Sequence, residues 1–123
     1  MAISTTTLDD RYINKIIQDT DIDETPTVAI TGKSSGSVYF VQLTSGSTSQ
    51  TNYFKIFDVG EIDLGNTPPI FQIRIPASTT INCIISAGMA YSTALTMACQ
   101  QGQGTSGSTG PTGATVTARL VAS

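Results

Sequence analysis

The stretch "PIFQIRIPA", Pro69 to Ala77, decides how the chain is read. Phe71, Ile73 and Ile75 alternate with Gln72 and Arg74, and a period of two sets the three apolar side chains on one face of an extended strand. The same alternation returns as Leu95, Met97 and Cys99, and again as Val116, Ala118 and Leu120. Around these, "TVAITG" (27–32), "SVYFVQLTS" (37–45), "NYFKIFDV" (52–59), "TTINCIIS" (79–86), "STALTMACQ" (92–100) and "ATVTARLVA" (114–122) are rich in β-branched and aromatic residues. Clusters of Gly, Ser, Asn and Pro bound them. Seven short strands with no helical pattern between them predict an all-β domain over residues 27–123, an antiparallel β-sandwich of jelly-roll-like type.

Residues 1–26 read differently, as a short N-terminal arm, helical or extended. Leu8, Tyr12, Ile13, Ile16 and Ile17 recur at the spacing of a 3.6-residue turn, which predicts about three turns of helix. Thr7 and Asp10 resemble a capping box, and Asp9 and Asp10 suit a positive helix end. A helix so short is marginal in water, so its stripe must dock either on its own sheet or on a neighbouring subunit. These five apolar residues are therefore the candidate partner-binding anchors. After them, "DTDIDETP" (19–26) is an acidic hinge in which Asp19, Asp21 and Asp23 imitate the first ligand positions of an EF-hand loop. Glu24 occupies the place of the turn glycine and Ile30 that of the bidentate glutamate, so a solvated linker is expected rather than a calcium site.

Composition narrows the function. A chain of 123 residues makes one domain able to bury about two thirds of its unfolded surface. Only 12% of residues are charged, about a quarter are Ser or Thr, and mean hydropathy is +0.08. Net charge is −3, and the Lys and Arg residues are scattered, which disfavours a nucleic-acid partner. Histidine and tryptophan are absent, leaving carboxylates and thiols as the groups on which catalysis could rest. Cys83 and Cys99 lie in alternating apolar stretches and read as free core thiols made in a reducing compartment, with no disulfide framework. The opening "MAISTTTLDD" has no signal-peptide pattern. Residues 75–118 carry no charge at all, yet "INCIISAGMAYSTALTMAC" is too interrupted by Asn82, Ser86, Gly88, Ser92, Thr93 and Thr96 to be a membrane span. Because surfaces buried between subunits are depleted of charge, that neutral third of the domain predicts a closed homo-oligomer, a trimer being favoured.

No motif for a cofactor or metal is present. "QQGQGTSGSTGPTGATV" (100–116) has no P-loop lysine and precedes a strand, and its two collagen-like triplets are far too few for a triple helix. It is expected to be the long loop joining the last two strands. Asp58, Glu61 and Asp63 are the carboxylates outside the arm that lie close together, and nothing beside them supports acid–base work, so a turn is expected there.

"NYFKIFDVGEIDLGNTPPIFQIRIPAS" and "GMAYSTALTMA" resemble a group of small all-β virion proteins of tailed bacteriophages. The resemblance is carried by Tyr53, Lys55, Ile56, Phe57 and Asp58, by Gly65 and Pro69, by Pro76 and Ala77, and by Gly88, Met89, Tyr91, Ser92 and Thr93. It spans roughly residues 37–121; Ala94 stands where such proteins commonly have glycine, and the proline is doubled as Pro68 and Pro69. It implies a non-enzymatic structural protein of the virion, a capsid cement or decoration subunit contacting the major capsid protein or other virion proteins. Neck, baseplate and fibre components share such modules, and a receptor- or glycan-binding adhesion module is the reading from another class.

Overall fold

The computed structural model describes residues 3–7, 15–28, 30–63, 65–105, 109–112 and 114–123. Eight strands follow in order: β1 (Ile3–Thr7), β2 (Lys15–Asp19), β3 (Gly36–Ser45), β4 (Asn52–Asp58), β5 (Phe71–Ile75), β6 (Thr80–Tyr91), β7 (Leu95–Gln100) and β8 (Val116–Ala122). They form an all-β sandwich of two antiparallel sheets, the larger ordered β1-β2-β8-β3-β6 and the smaller β5-β4-β7.

The core lies between the sheets and is built from the period-two faces. Val38, Val41 and Leu43 of β3 and Val116, Ala118, Leu120 and Ala122 of β8 point inward from the larger sheet, where all are buried. Phe54 and Ile56 of β4 and Leu95, Met97 and Cys99 of β7 meet them from the smaller one. Ile75 closes the layer from β5, with Phe71 and Ile73 packed at its margin. Each fully buried aliphatic side chain contributes about 1.5–3 kcal/mol of transfer free energy, so these rows set the strand registers.

Six of the seven expected strands form. "TVAITG" does not: it makes an isolated bridge, Thr27 to Met97, with Ile30 N–H donating to Leu95 O and Cys99 N–H donating to Asp23 O. The segment thus follows the free edge of β7, touching it at intervals.

The helix expected across Leu8–Ile17 is corrected where the structure describes it. Ile16 and Ile17 lie in β2, which pairs with β1 on one side and β8 on the other; Leu8, Tyr12 and Ile13 lie outside the described residues. The adjacent isoleucines fit a strand with apolar groups on both faces, and pairing with β8 outweighs the weak helical preference of so short a segment. Ile17 points inward and is completely buried. The acidic segment is corrected too: it is stitched into the fold rather than solvated. Ile22 is a core residue whose N–H donates to Val116 O, while Asp19 and Asp23 accept from the N–H groups of Asp21 and Thr25 in local turns.

Opposite fates for neighbouring isoleucines follow. Ile17→Ala should cost about 2–5 kcal/mol of stability and Ile16→Ala less than about 1 kcal/mol, read as shifts of the urea unfolding midpoint.

Candidate functional site

The outer face of the larger sheet is the feature best suited to a partner. Residues that point away from the core line up across the strands: Thr6 of β1 opposes Ile16 of β2, Ile16 opposes Val121 of β8, Val121 opposes Phe40 of β3, and Phe40 opposes Ile84 of β6. With strands about 4.8 Å apart, the apolar part of this row, from Ile16 to Ile84, runs roughly 14 Å across the sheet. Ile84, at its end, is 78% exposed. The next row is Ser4, Gln18, Arg119, Gln42 and Asn82, in which Gln42 Nε2 donates to Asn82 Oδ1 at 2.9 Å. A third row holds Thr117, Thr44 and Thr80, the last two with hydroxyls 3.3 Å apart. Arg119 is the one charged side chain in these three rows. Of the five expected anchors, the structure places Ile16 on this face and Ile17 in the core. Val121, Phe40 and Ile84 were missed by sequence reading, although the inward set Val116, Ala118 and Leu120 implies that Val121 faces out.

The carboxylate considered for chemistry is committed elsewhere. Asp58 ends β4 and reaches the turn between β6 and β7, where its carboxylate accepts from the N–H groups of Ser92, Thr93 and Ala94 at 2.7–3.2 Å and from Ser92 Oγ. Burial opposes its ionisation, but these hydrogen bonds outweigh that and hold the carboxyl below its ordinary value. Asp63 organises its own loop, accepting from Asn66 Nδ2 through its side chain and from the Asn66 and Thr67 N–H groups through its carbonyl. Glu61 is exposed. Among the described residues no group of three His, Cys, Asp or Glu side chains gathers as a metal site, no ligand-sized cavity opens, and no helix is long and apolar enough to cross a membrane.

Lys55 is the other unusual group. It points from the outer face of β4, is 1% exposed, and donates to Gln100 Oε1 of β7 at 2.6 Å. Desolvation pushes its amino group below the ordinary lysine value. Cys99 is a buried free thiol pushed up to about 12 by desolvation, and Cys83 is a half-buried free thiol packed against the core. The described residues of the connection from 101 to 115 reach this side of the smaller sheet, where Gly104 N–H donates to Gln72 Oε1. Gln101 holds it through Thr109 O and Gly110 O, and Gln50 exchanges two hydrogen bonds with Thr112. Gly110 sits so close to Glu24 that a Cβ there would overlap the carboxylate. The described part of the loop is thus held by its own chain.

Three further contacts fix the ends and the bend of β6. Asp58 clamps Ser92 and Thr93; Gly88, at φ +77°, lets β6 bend with the Tyr39 ring against its Cα; and the Tyr91 hydroxyl donates to Ser123 O while meeting Thr31 Oγ1 at 2.7 Å. No protein-family model, curated protein or solved structure matches the chain.

The Asp58 clamp should contribute fully above the ordinary carboxyl value of 3.8 and be lost as pH falls through the lower folded value. Asp58→Ala should therefore lower the melting temperature at neutral pH and flatten the acid limb of a melting series. At Lys55 the fold disfavours the charged form instead: the folded-state value lies below 10.5, so stability again rises with pH, here through the alkaline interval between the two values. Lys55→Met should match or exceed the wild type near pH 7 and show less of that alkaline gain, as read by the difference between the two melting curves.

Proposed function

We propose that this chain is a non-enzymatic structural protein of a tailed-phage virion, a decoration subunit that cements its neighbours on the capsid. The observation that carries the reading is the outer face of the larger sheet. Its row of Ile16, Val121, Phe40 and Ile84, beside two polar rows that carry a single charge, Arg119, has the composition of a subunit interface, apolar and poor in charge. The resemblance of residues 37–121 to small virion proteins points the same way. So does the strand order. With the 23–30 segment counted beside β7, the smaller sheet runs β5-β4-β7-(23–30) against β2-β8-β3-β6, which supports a jelly roll, an architecture of viral capsid domains.

The mechanism is mechanical. A decoration subunit bridges neighbouring capsid subunits and buries apolar area at each contact, and repetition around the shell multiplies modest affinities. The partner is the major capsid protein or another virion protein, and the site is the face on which Ile16 lies, so one of the five expected anchors belongs to it.

Ile16→Lys and Val121→Lys place charges in the centre of this face while leaving the inward rows intact. Each should reduce the copy number of the protein in purified virions at least about tenfold, measured by quantitative mass spectrometry, with melting temperature close to wild type. Undiminished incorporation of a folded Val121→Lys protein would overturn the assignment of this face. Specific binding of the isolated protein to a glycan array would favour the adhesion module instead.

A further inference from the structure

Strand β6 is the end strand of the larger sheet, and among the described residues no backbone group pairs with its outer edge. Such edges are ordinarily blunted by lysine, proline, inward charge or a bulge. Here Thr80–Ile84 carries none of the first three. The nearest charged residues in sequence are Arg74 and Arg119. A bulge exists, but it begins only after Ile84: Phe40 opposes Ile84 and Val38 opposes Met89, leaving Ile85–Gly88 without opposite residues in β3. Five regular residues therefore remain open, as many as pair between β1 and β2 in the same sheet.

We infer that this edge pairs with the same strand of a second copy, antiparallel about a twofold axis at Asn82, joining two larger sheets into one of ten strands. The strand is matched to itself in that register. Asn82 opposes Asn82, Ile81 opposes Cys83 on the core side, and Thr80 opposes Ile84 on the outer side, so apolar meets apolar below and two β-branched residues meet above. The Gln42 amide holds Asn82 Oδ1 and leaves Asn82 Nδ2 available at the axis. Ile84, the most exposed large apolar side chain of the described residues, is covered by the pairing. Absence of charge also selects the occupant: nothing on this strand attracts a charged partner, and nothing on it repels its own copy. The bulge ends the contact after Ile84, which limits it to one pair of chains.

This inference shares only Ile84 with the apolar row of the proposed function, whose test rests on Ile16 and Val121. The test uses light scattering of the full chain over a wide concentration range, with Cys83→Ser as the background for crosslinking. The expected result is a dimer that dissociates on dilution. In that background Asn82→Cys should form a disulfide-linked dimer on mild oxidation, because the axial residue faces its own copy, whereas Thr44→Cys, one strand inward, should not. Asn82→Lys, which opposes like charges on the axis, should raise the midpoint concentration at least about tenfold while leaving circular dichroism unchanged. A wild-type protein that stays monomeric at high concentration, or forms the trimer expected from composition, overturns the inference. So does a dimer that Asn82→Lys leaves intact or that Asn82→Cys fails to crosslink. Each of these outcomes leaves virion incorporation through Ile16 and Val121 a separate question.

Discussion

Side-by-side pairing of β3 and β8 in the middle of the larger sheet is the constraint on which the remaining structure depends. Val41 and Leu43 lie opposite Leu120 and Ala118, and these side chains form one floor of the core. The same two-residue period turns Phe40, Gln42, Val121 and Arg119 outward. Core and outer face are therefore two consequences of one register, and a slip of one residue would exchange them. β2 and β6 flank this pair and inherit its alternation, which is how Ile17 becomes a core residue while Ile16 joins the exposed row.

Two polar clamps fix how the sheets are joined. Asp58, at the end of β4 in one sheet, gathers three N–H groups of the turn by which the chain leaves β6 for β7. Tyr91, at the end of β6, ties Thr31 to the backbone of Ser123 beside β8. Each satisfies groups that a tight crossing between sheets would otherwise leave unpaired, at a cost of about 1–3 kcal/mol apiece if buried. This gives a physical reason why Asp58 and Ser92–Thr93 go together: the residues are distant in sequence and touch in space.

Much of the architecture could be read from the chain because its inner rows alternate cleanly. Phe71, Ile73 and Ile75, or Leu95, Met97 and Cys99, admit one period, and the polar residues between them leave no rival. At the N-terminus two periods compete. Leu8, Tyr12, Ile13, Ile16 and Ile17 satisfy a helical spacing, while Ile16–Ile17 equally suits a strand with apolar groups on both faces; pairing with β8, invisible in the sequence, decides for the strand. The candidate site was less legible than the fold. A row across five strands is assembled from residues at positions 6, 16, 40, 84 and 121, and only the registers reveal that they are neighbours. Thr27 failed as a strand for a related reason: its segment has the composition for one, but it bonds to β7 at intervals rather than residue by residue.

That irregular segment has a consequence for how the molecule behaves in a crowd. A regular strand beside β7 would end in a fresh row of unpaired N–H and C=O groups, a template on which further chains could polymerise. The 23–30 segment instead spends its hydrogen bonds on Leu95, Met97 and Cys99 through Asp23, Thr27 and Ile30, and offers no evenly spaced ladder to whatever comes next. The smaller sheet is finished on that side. At high concentration the chain thereby gains protection against fibre growth at a point where neither charge nor proline guards β7 itself.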